Sequence, residues 1–312
     1  MEKDATKIPV IFDSDANNEL DDQHALAYLL FNGETFDVRG VTVNATYNGG
    51  DIEGHYAEAE RVMKLCGVSE DIPLYTGANG SFKEIRPSID QSEFDGNEAV
   101  DFIIRESRKE RTNKLVLLPV GKLTNIALAL EKAPDIKDKI RIVWLGSNYP
   151  EPGEYNQDND IPSLNYILEQ DVLFEMVMVR YGKSSGSDAV KVTPKDIEKN
   201  MPGTGPKVTP IEGRHGNSFK HFGDYSLDLF NHAEMYGEPP SRALFDMVAV
   251  AIIKNPAWGE SKEIPAPILI DKDWIERPEN KNKVGIWENF DKQSILKDFF
   301  EVMKKPIIAK SE

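Results

Sequence analysis

The chain has 312 residues, 40% of them hydrophobic, enough to bury a sizeable core. Its net charge of −16 opposes non-specific nucleic-acid binding, which needs a basic surface. The single cysteine, Cys66, excludes an intramolecular disulfide, a thiolate zinc cluster and a CxxC redox pair, and its apolar context marks it as a core residue.

In chain order, Met1–Lys7 lacks the apolar core of a signal peptide and reads as a disordered lead-in. The compartment is therefore left open: cytoplasmic, or periplasmic or secreted if a leader has been removed. Ile8-Pro9-Val10-Ile11-Phe12 reads as a buried strand, and His24 to Leu30 as a helix. Between them lie Asp13, Asp15, Asp21 and Asp22. Like charges about 4 Å apart repel by roughly 4 kcal/mol per pair at an effective dielectric near 20. Neutralisation needs shared protons or a hard cation, and so many oxygens favour the cation. An EF-hand does not fit, because Asn18 stands where its glycine belongs and His24 where its final glutamate belongs.

Phe36 to Val43 reads as a second strand and Ile52 to Leu65 as an amphipathic helix. Leu115 to Val120 is another apolar strand, followed by Gly121-Lys122-Leu123-Thr124-Asn125 and a helix over Ile126–Leu130. Ile140 to Leu145 is a further buried strand. Unbroken apolar strands separated by helices predict an α/β fold with a mostly parallel, mixed central sheet flanked by helices. Tyr149–Pro162 and Pro202–Asn217 read as loops, Phe219–Tyr236 and Ser241–Ile253 as helices, Val284–Trp287 as a strand, and Gln293–Lys304 as a closing helix. Nothing cuts the chain, so residues 1–312 are expected to form one domain. No apolar stretch reaches the about 18 residues of a membrane span.

The spacing Asp13-x-Asp15-(five residues)-Asp21-Asp22 resembles the DxDxxxDD signature of the inosine-uridine preferring nucleoside hydrolase family, with a first loop two residues longer and without its Pro-Gly. Gly121 to Asn125, Asn165 and the Asp246 that opens Met247-Val248-Ala249-Val250 extend the likeness over most of the chain. The resemblance implies a Rossmann-like fold, calcium, and release of ribose and a free base from a ribonucleoside, in purine or pyrimidine salvage. The implied calcium ligands are Asp15, Asp22, Asp246 and the carbonyl of Val120, with the ribose 2′- and 3′-hydroxyls and a water completing the shell. Asp15 would be the general base on that water. Asp21 would bind a ribose hydroxyl, and Asp13 would orient its neighbours. Asn165 matches the family's ribose-binding Asn, which a Glu precedes by two residues; here Ser163 stands there. Asn156 or Asn159 would give another ribose contact, and Asn48, with Asn44 as its substitute, would position the water. Phe245 replaces the His that protonates the base in several purine-cleaving relatives. His221 and Tyr225 are offered instead as acids over the pocket, and the four tryptophans are expected in the core. Relatives of this kind are commonly dimers or tetramers, so a homo-oligomer is expected.

Two other readings stand beside this one. Ile8 to Asp15 also resembles the DxD strand of magnesium-dependent haloacid-dehalogenase-type phosphatases, and Gly223-Asp224-x-x-x-Asp228 mimics their late acidic motif. Asp13 would then be the nucleophile and Asp15 the acid/base, but Asp21, Asp22 and Asp246 would have no role. A catalytically weak calcium-dependent ribose- or nucleoside-binding protein is the third, with Phe245 as its support.

Overall fold

The computed structural model describes residues 7–18 and 20–310. The expected disordered lead-in lies outside the described residues except for Lys7, which is partly buried where the first strand begins. Eight strands form the central sheet: β1 (Ile8–Ser14), β2 (Phe36–Val43), β3 (Leu74–Tyr75), β4 (Leu115–Pro119), β5 (Ile140–Ser147), β6 (Leu173–Met178), β7 (Glu260–Pro265) and β8 (Lys283–Glu288). Their spatial order is β7-β8-β6-β5-β4-β1-β2-β3. All neighbours run parallel except the edge pair β7 and β8. The strand order reverses between β1 and β4: the chain steps outward to β2 and β3, then returns to β4 and proceeds the other way. Open α/β sheets bind ligands at the carboxyl ends beside such a switch point.

Apolar residues cover both faces. Val10 and Phe12 of β1 pack on one side and Ile11 on the other. The main flanking helices are α1 (Asp21–Leu30), α2 (Ile52–Leu65), α3 (Asn97–Arg108), α4 (Thr124–Lys132), α5 (Tyr155–Asn159), α6 (Ile161–Leu168), α7 (Phe222–His232), α8 (Phe245–Lys254) and α9 (Lys292–Lys304). Every residue of α1 is buried, as are Asp246 to Ile253 of α8, and the two helices pack together. Beyond its polar first turn α1 is apolar on every side, as α8 is, which belongs in an interior, and each fully buried Leu or Ile contributes roughly 1.5–3 kcal/mol. This packing positions the site, because it brings the first turns of α1 and α8, with their aspartates, to one place.

Several boundaries differ from the sequence reading. The expected loop at 149–162 contains α5 and the start of α6. Glu154 and Asp160 cap them by accepting from the backbone N–H of Gln157 and Ser163, and Pro162 sits in the first turn of α6. Within 219–236 only Phe222–His232 is helical, since Phe219 pairs with Ile211 in a small hairpin. The helix expected from Ser241 starts at Phe245, because Arg242 and Ala243 pair with Val192 and Lys191. Cys66 and Trp144 are fully buried, whereas Trp258 and Trp274 are half-buried at the margins of the core.

Candidate active site

A cavity of about 450 Å³ opens at the switch point. Its floor carries Asp15, just after β1, and Asp21 and Asp22, which begin α1. It also carries Val120, just after β4, and Asp246 in the first turn of α8. One carboxylate oxygen from each of Asp21, Asp22 and Asp246 lies within 4.8 Å of the others, and all three residues are buried. Asp15 is buried beside them and interacts electrostatically with all three. The helix N-termini beneath Asp21, Asp22 and Asp246 favour negative charge there, yet burial dominates. It pushes Asp15 up to about 6 and Asp21 up to about 7, from an ordinary 3.8. Burial and repulsion from the neighbouring aspartates hold Asp22 and Asp246 well above the usual carboxylate range.

Hydrogen bonds fix the floor. Ser14 Oγ donates to Asp22 Oδ1 at 2.6 Å, and Thr46 Oγ1 to Asp15 Oδ2 at 2.5 Å. Asp13 is fully buried behind them and does not line the cavity. It accepts from Thr42 Oγ1 at 2.6 Å, Asn125 Nδ2 at 2.7 Å and Asn44 Nδ2 at 3.0 Å, which ties β1 to β2 and to the start of α4. A phosphatase nucleophile must face its substrate, so the reading that gave Asp13 that role fails. Asp224 and Asp228 of its late motif are also engaged elsewhere, with Gly203 N–H and with His215 and Asn217. Gly121 meets a spatial demand: a Cβ there would stand 2.7 Å from both Asp15 Oδ1 and Asn44 Oδ1. Asn44 is thereby a buried support for this turn; it also accepts from Lys122 N–H at 3.2 Å.

Asn48 and Asn156 line the cavity as expected from the sequence, and so does Phe245. Asn156 Nδ2 donates to the Val120 carbonyl at 2.6 Å and to the Leu145 carbonyl at 3.2 Å. Three expected residues do not line it. Asn165 instead clasps the backbone of Leu269, donating to its carbonyl at 2.8 Å and accepting from its N–H at 2.9 Å. His221 stands at the N-cap of α7 with Nδ1 3.3 Å from the Gly205 carbonyl. Tyr225 is fully buried and donates to Glu58 at 2.5 Å. Asn159 supports the loop by accepting from Tyr47 N–H.

The sequence reading passed over Glu154. It is buried in the cavity wall, and burial raises its carboxyl to about 8. Glu154 and Asn156 have the Glu-x-Asn spacing that was sought, and not found, at Ser163 and Asn165. The spacing itself was the available signal. Tyr155, Tyr181, Lys191, Tyr236 and Arg242 complete the outer wall with Phe245, and the Tyr181 ring meets Phe245 edge-on at 6.0 Å.

The model of the inosine-uridine preferring nucleoside hydrolase family matches residues 10–297. The chain belongs to this family of N-glycosyl hydrolases. A plant nucleoside hydrolase structure superposes with a TM-score of 0.75 at 17% identity, covering 96% of this chain and 100% of that one. The purine-preferring ribonucleoside hydrolase of Gardnerella vaginalis gives 0.70 at 20% identity, covering 95% and 98%. The inosine-uridine preferring nucleoside hydrolase of Bacillus anthracis gives 0.69 at 16%, covering 96% and 99%. At these identities the likeness is one of fold. An uncharacterized protein of Schizosaccharomyces pombe is 32% identical over 113 residues, 30% of this chain and 36% of that protein. The chain thus matches about a third of the length of that curated relative.

Proposed function

We propose that this chain catalyses calcium-dependent hydrolysis of the N-glycosidic bond of a ribonucleoside. One observation carries the reading: Asp15, Asp21, Asp22 and Asp246 converge, buried, on the floor of one cavity. A set of only oxygen donors, raised in pKa by burial first and by mutual repulsion second, fits a hard divalent cation and not a soft one. Asp15, Asp22, Asp246 and the Val120 carbonyl would hold it; Asp21 lies close enough to Asp22 and Asp246 to share in this. That carbonyl already accepts from Asn156 and keeps a second lone pair. Bound calcium would polarise the attacking water and anchor the sugar's vicinal hydroxyls.

The chain's own residues do the rest. Asp15 takes one proton from water as its oxygen bonds to the anomeric carbon and the carbon–nitrogen bond breaks. A bound dication would keep Asp15 ionised, the form a general base needs. The transition state is oxocarbenium-like, and the surrounding carboxylates stabilise its developing positive charge. Asp21 and Asn156 hold ribose hydroxyls, Glu154 reaches the sugar from the wall, and Asn48 orients the water. The electron pair of the broken bond leaves on the base nitrogen. Phe245 gives that nitrogen no proton, and Lys191 and Arg242 on the outer wall favour an anionic leaving group.

The test is reducing-sugar release from purine and pyrimidine nucleosides with calcium. Asp15→Asn should retain calcium and lose about 10²–10⁴-fold in kcat, the usual contribution of positioned base catalysis. Turnover equal to wild type in that variant would overturn the mechanism. Phe245 supports one alternative, a pocket that binds nucleosides without cleaving them. Calcium-dependent ribose binding with no sugar release from wild type would establish it.

A further inference from the structure

Outside the acidic pocket, a second cluster of possible metal ligands sits on the adjoining surface. Asp228 and His232 are four residues apart on α7, so one helix face carries both. His215 comes from the turn of the neighbouring hairpin, which pairs Ile211–Glu212 with Ser218–Phe219. One ring nitrogen from each histidine and one carboxylate oxygen of Asp228 all lie within 4.8 Å of one another. Both imidazoles turn Nδ1 toward the same residue. His215 Nδ1 is 2.8 Å from Asp228 Oδ2, and His232 Nδ1 is 2.8 Å from the Asp228 backbone carbonyl and 3.8 Å from its Oδ1. The two rings stack with centroids 3.8 Å apart and planes 22° apart.

The donors differ in kind from those of the pocket floor. Two imidazoles and one carboxylate suit a borderline ion such as zinc and are poor ligands for calcium. Asp228 is 7% exposed and already in place, with Asn217 Nδ2 donating to Oδ1 at 2.9 Å, while both histidines remain open to solvent. Three protein ligands leave a fourth position for water, and access from solvent is direct.

We propose that His215, Asp228 and His232 form a second, transition-metal site that takes a zinc-class divalent ion. Binding displaces the proton that His215 donates to Asp228, as metal binding to such ligands does generally. The ion then cross-links the hairpin to α7. The hairpin also reaches the loop of the acidic pocket, through Arg214 donating to the Asn17 carbonyl at 3.1 Å. Zinc at this site therefore fixes one border of that loop. The proposal does not depend on what the pocket hydrolyses.

The experiment is zinc titration of the full chain by calorimetry in excess calcium, which keeps the carboxylate site occupied. One zinc equivalent is expected in wild type. Loss of an outer-shell partner alone weakens metal sites by about 10–100-fold. His232→Ala and His215→Ala each remove a ligand and should exceed that loss. Cobalt should report the same site by visible absorption that disappears in either variant. Both histidines are solvent-exposed, so folding is not at stake, and circular dichroism verifies it. No zinc uptake by wild type in excess calcium would overturn the proposal. So would uptake that is unchanged in the double variant.

Discussion

Removing divalent cations should make this protein lose stability as the pH rises, and calcium should restore it most at high pH. Asp21 has its carboxyl raised by burial from 3.8 to about 7. Between those values the folded state holds a proton that the unfolded chain has released. The proton excess lies with the folded state, so the stability of the cation-free protein falls through this window as the pH climbs. About three pH units at 1.36 kcal/mol each give a loss on the order of 4 kcal/mol above about pH 7. Asp15 repels Asp21 and the two titrate as a linked pair, so its own rise is not added. A chain of this length unfolds with an entropy that converts about 4 kcal/mol into roughly 6 °C of Tm. Calcium at about a hundred times its Kd returns about 2.7 kcal/mol, or roughly 4 °C. Asp13, also raised to about 7, contributes a slope of its own but lies behind the floor, so only the difference with and without calcium reports the pocket. Scanning calorimetry at about pH 5 and about pH 8, each with chelator and with calcium, spans about two of those units, so it should read about 2.7 kcal/mol, or roughly 4 °C, of the cation-free loss. A calcium-induced shift as large at the lower pH as at the higher would refute the reasoning, as would a cation-free Tm that stays flat.

Two substitutions separate the pocket from its surroundings. Gly121→Ala places a methyl 2.7 Å from both Asp15 Oδ1 and Asn44 Oδ1, so both side chains or the turn itself must shift. A displacement of about 1 Å costs on the order of 100-fold in turnover, and steady-state kinetics should show the loss in kcat. Asn165→Ala removes two hydrogen bonds to Leu269 but nothing from the cavity. Urea unfolding should show about 1–3 kcal/mol less stability, with KM for nucleosides unchanged; a raised KM would return Asn165 to the sugar.

The inner sheet was legible because strands covered on both faces are written as unbroken apolar runs. Residues 8–12, 115–120 and 140–145 all became β-strands in the middle of the sheet. The edge was not legible. β7 reads Glu260-Ser261-Lys262-Glu263-Ile264-Pro265, four exposed residues then two half-buried ones, and only its antiparallel partner β8 makes it a strand. α5 and α6 were hidden by the polar, Pro- and Asn-rich composition of residues 149–162. Yet the same residues cap and start the helices: Glu154, Asp160 and Pro162. Composition suggested a loop where position specified two helix N-termini.

The acidic floor divides along the same line. Asp15, Asp21 and Asp22 are neighbours in sequence, so the strand–turn–helix pattern was enough to place them together. Asp246 joins them only because α1 and α8, both buried, pack side by side with their first turns at the same end of the sheet. No local pattern encodes that approach, and it was reached through resemblance. That Asn156 faces the cavity and Asn165 does not turned on three-dimensional direction. Asn156 lies on α5, whose start Glu154 caps in the cavity wall, whereas Asn165 turns to the backbone of Leu269. Tyr181, Lys191 and Arg242 come from short connections and ribbons without periodicity, and they line the outer wall of the cavity. The acidic floor is therefore half written as one local motif, Asp15 to Asp22, whereas the outer wall is assembled wholly from distant segments and is the part least visible in a single sequence.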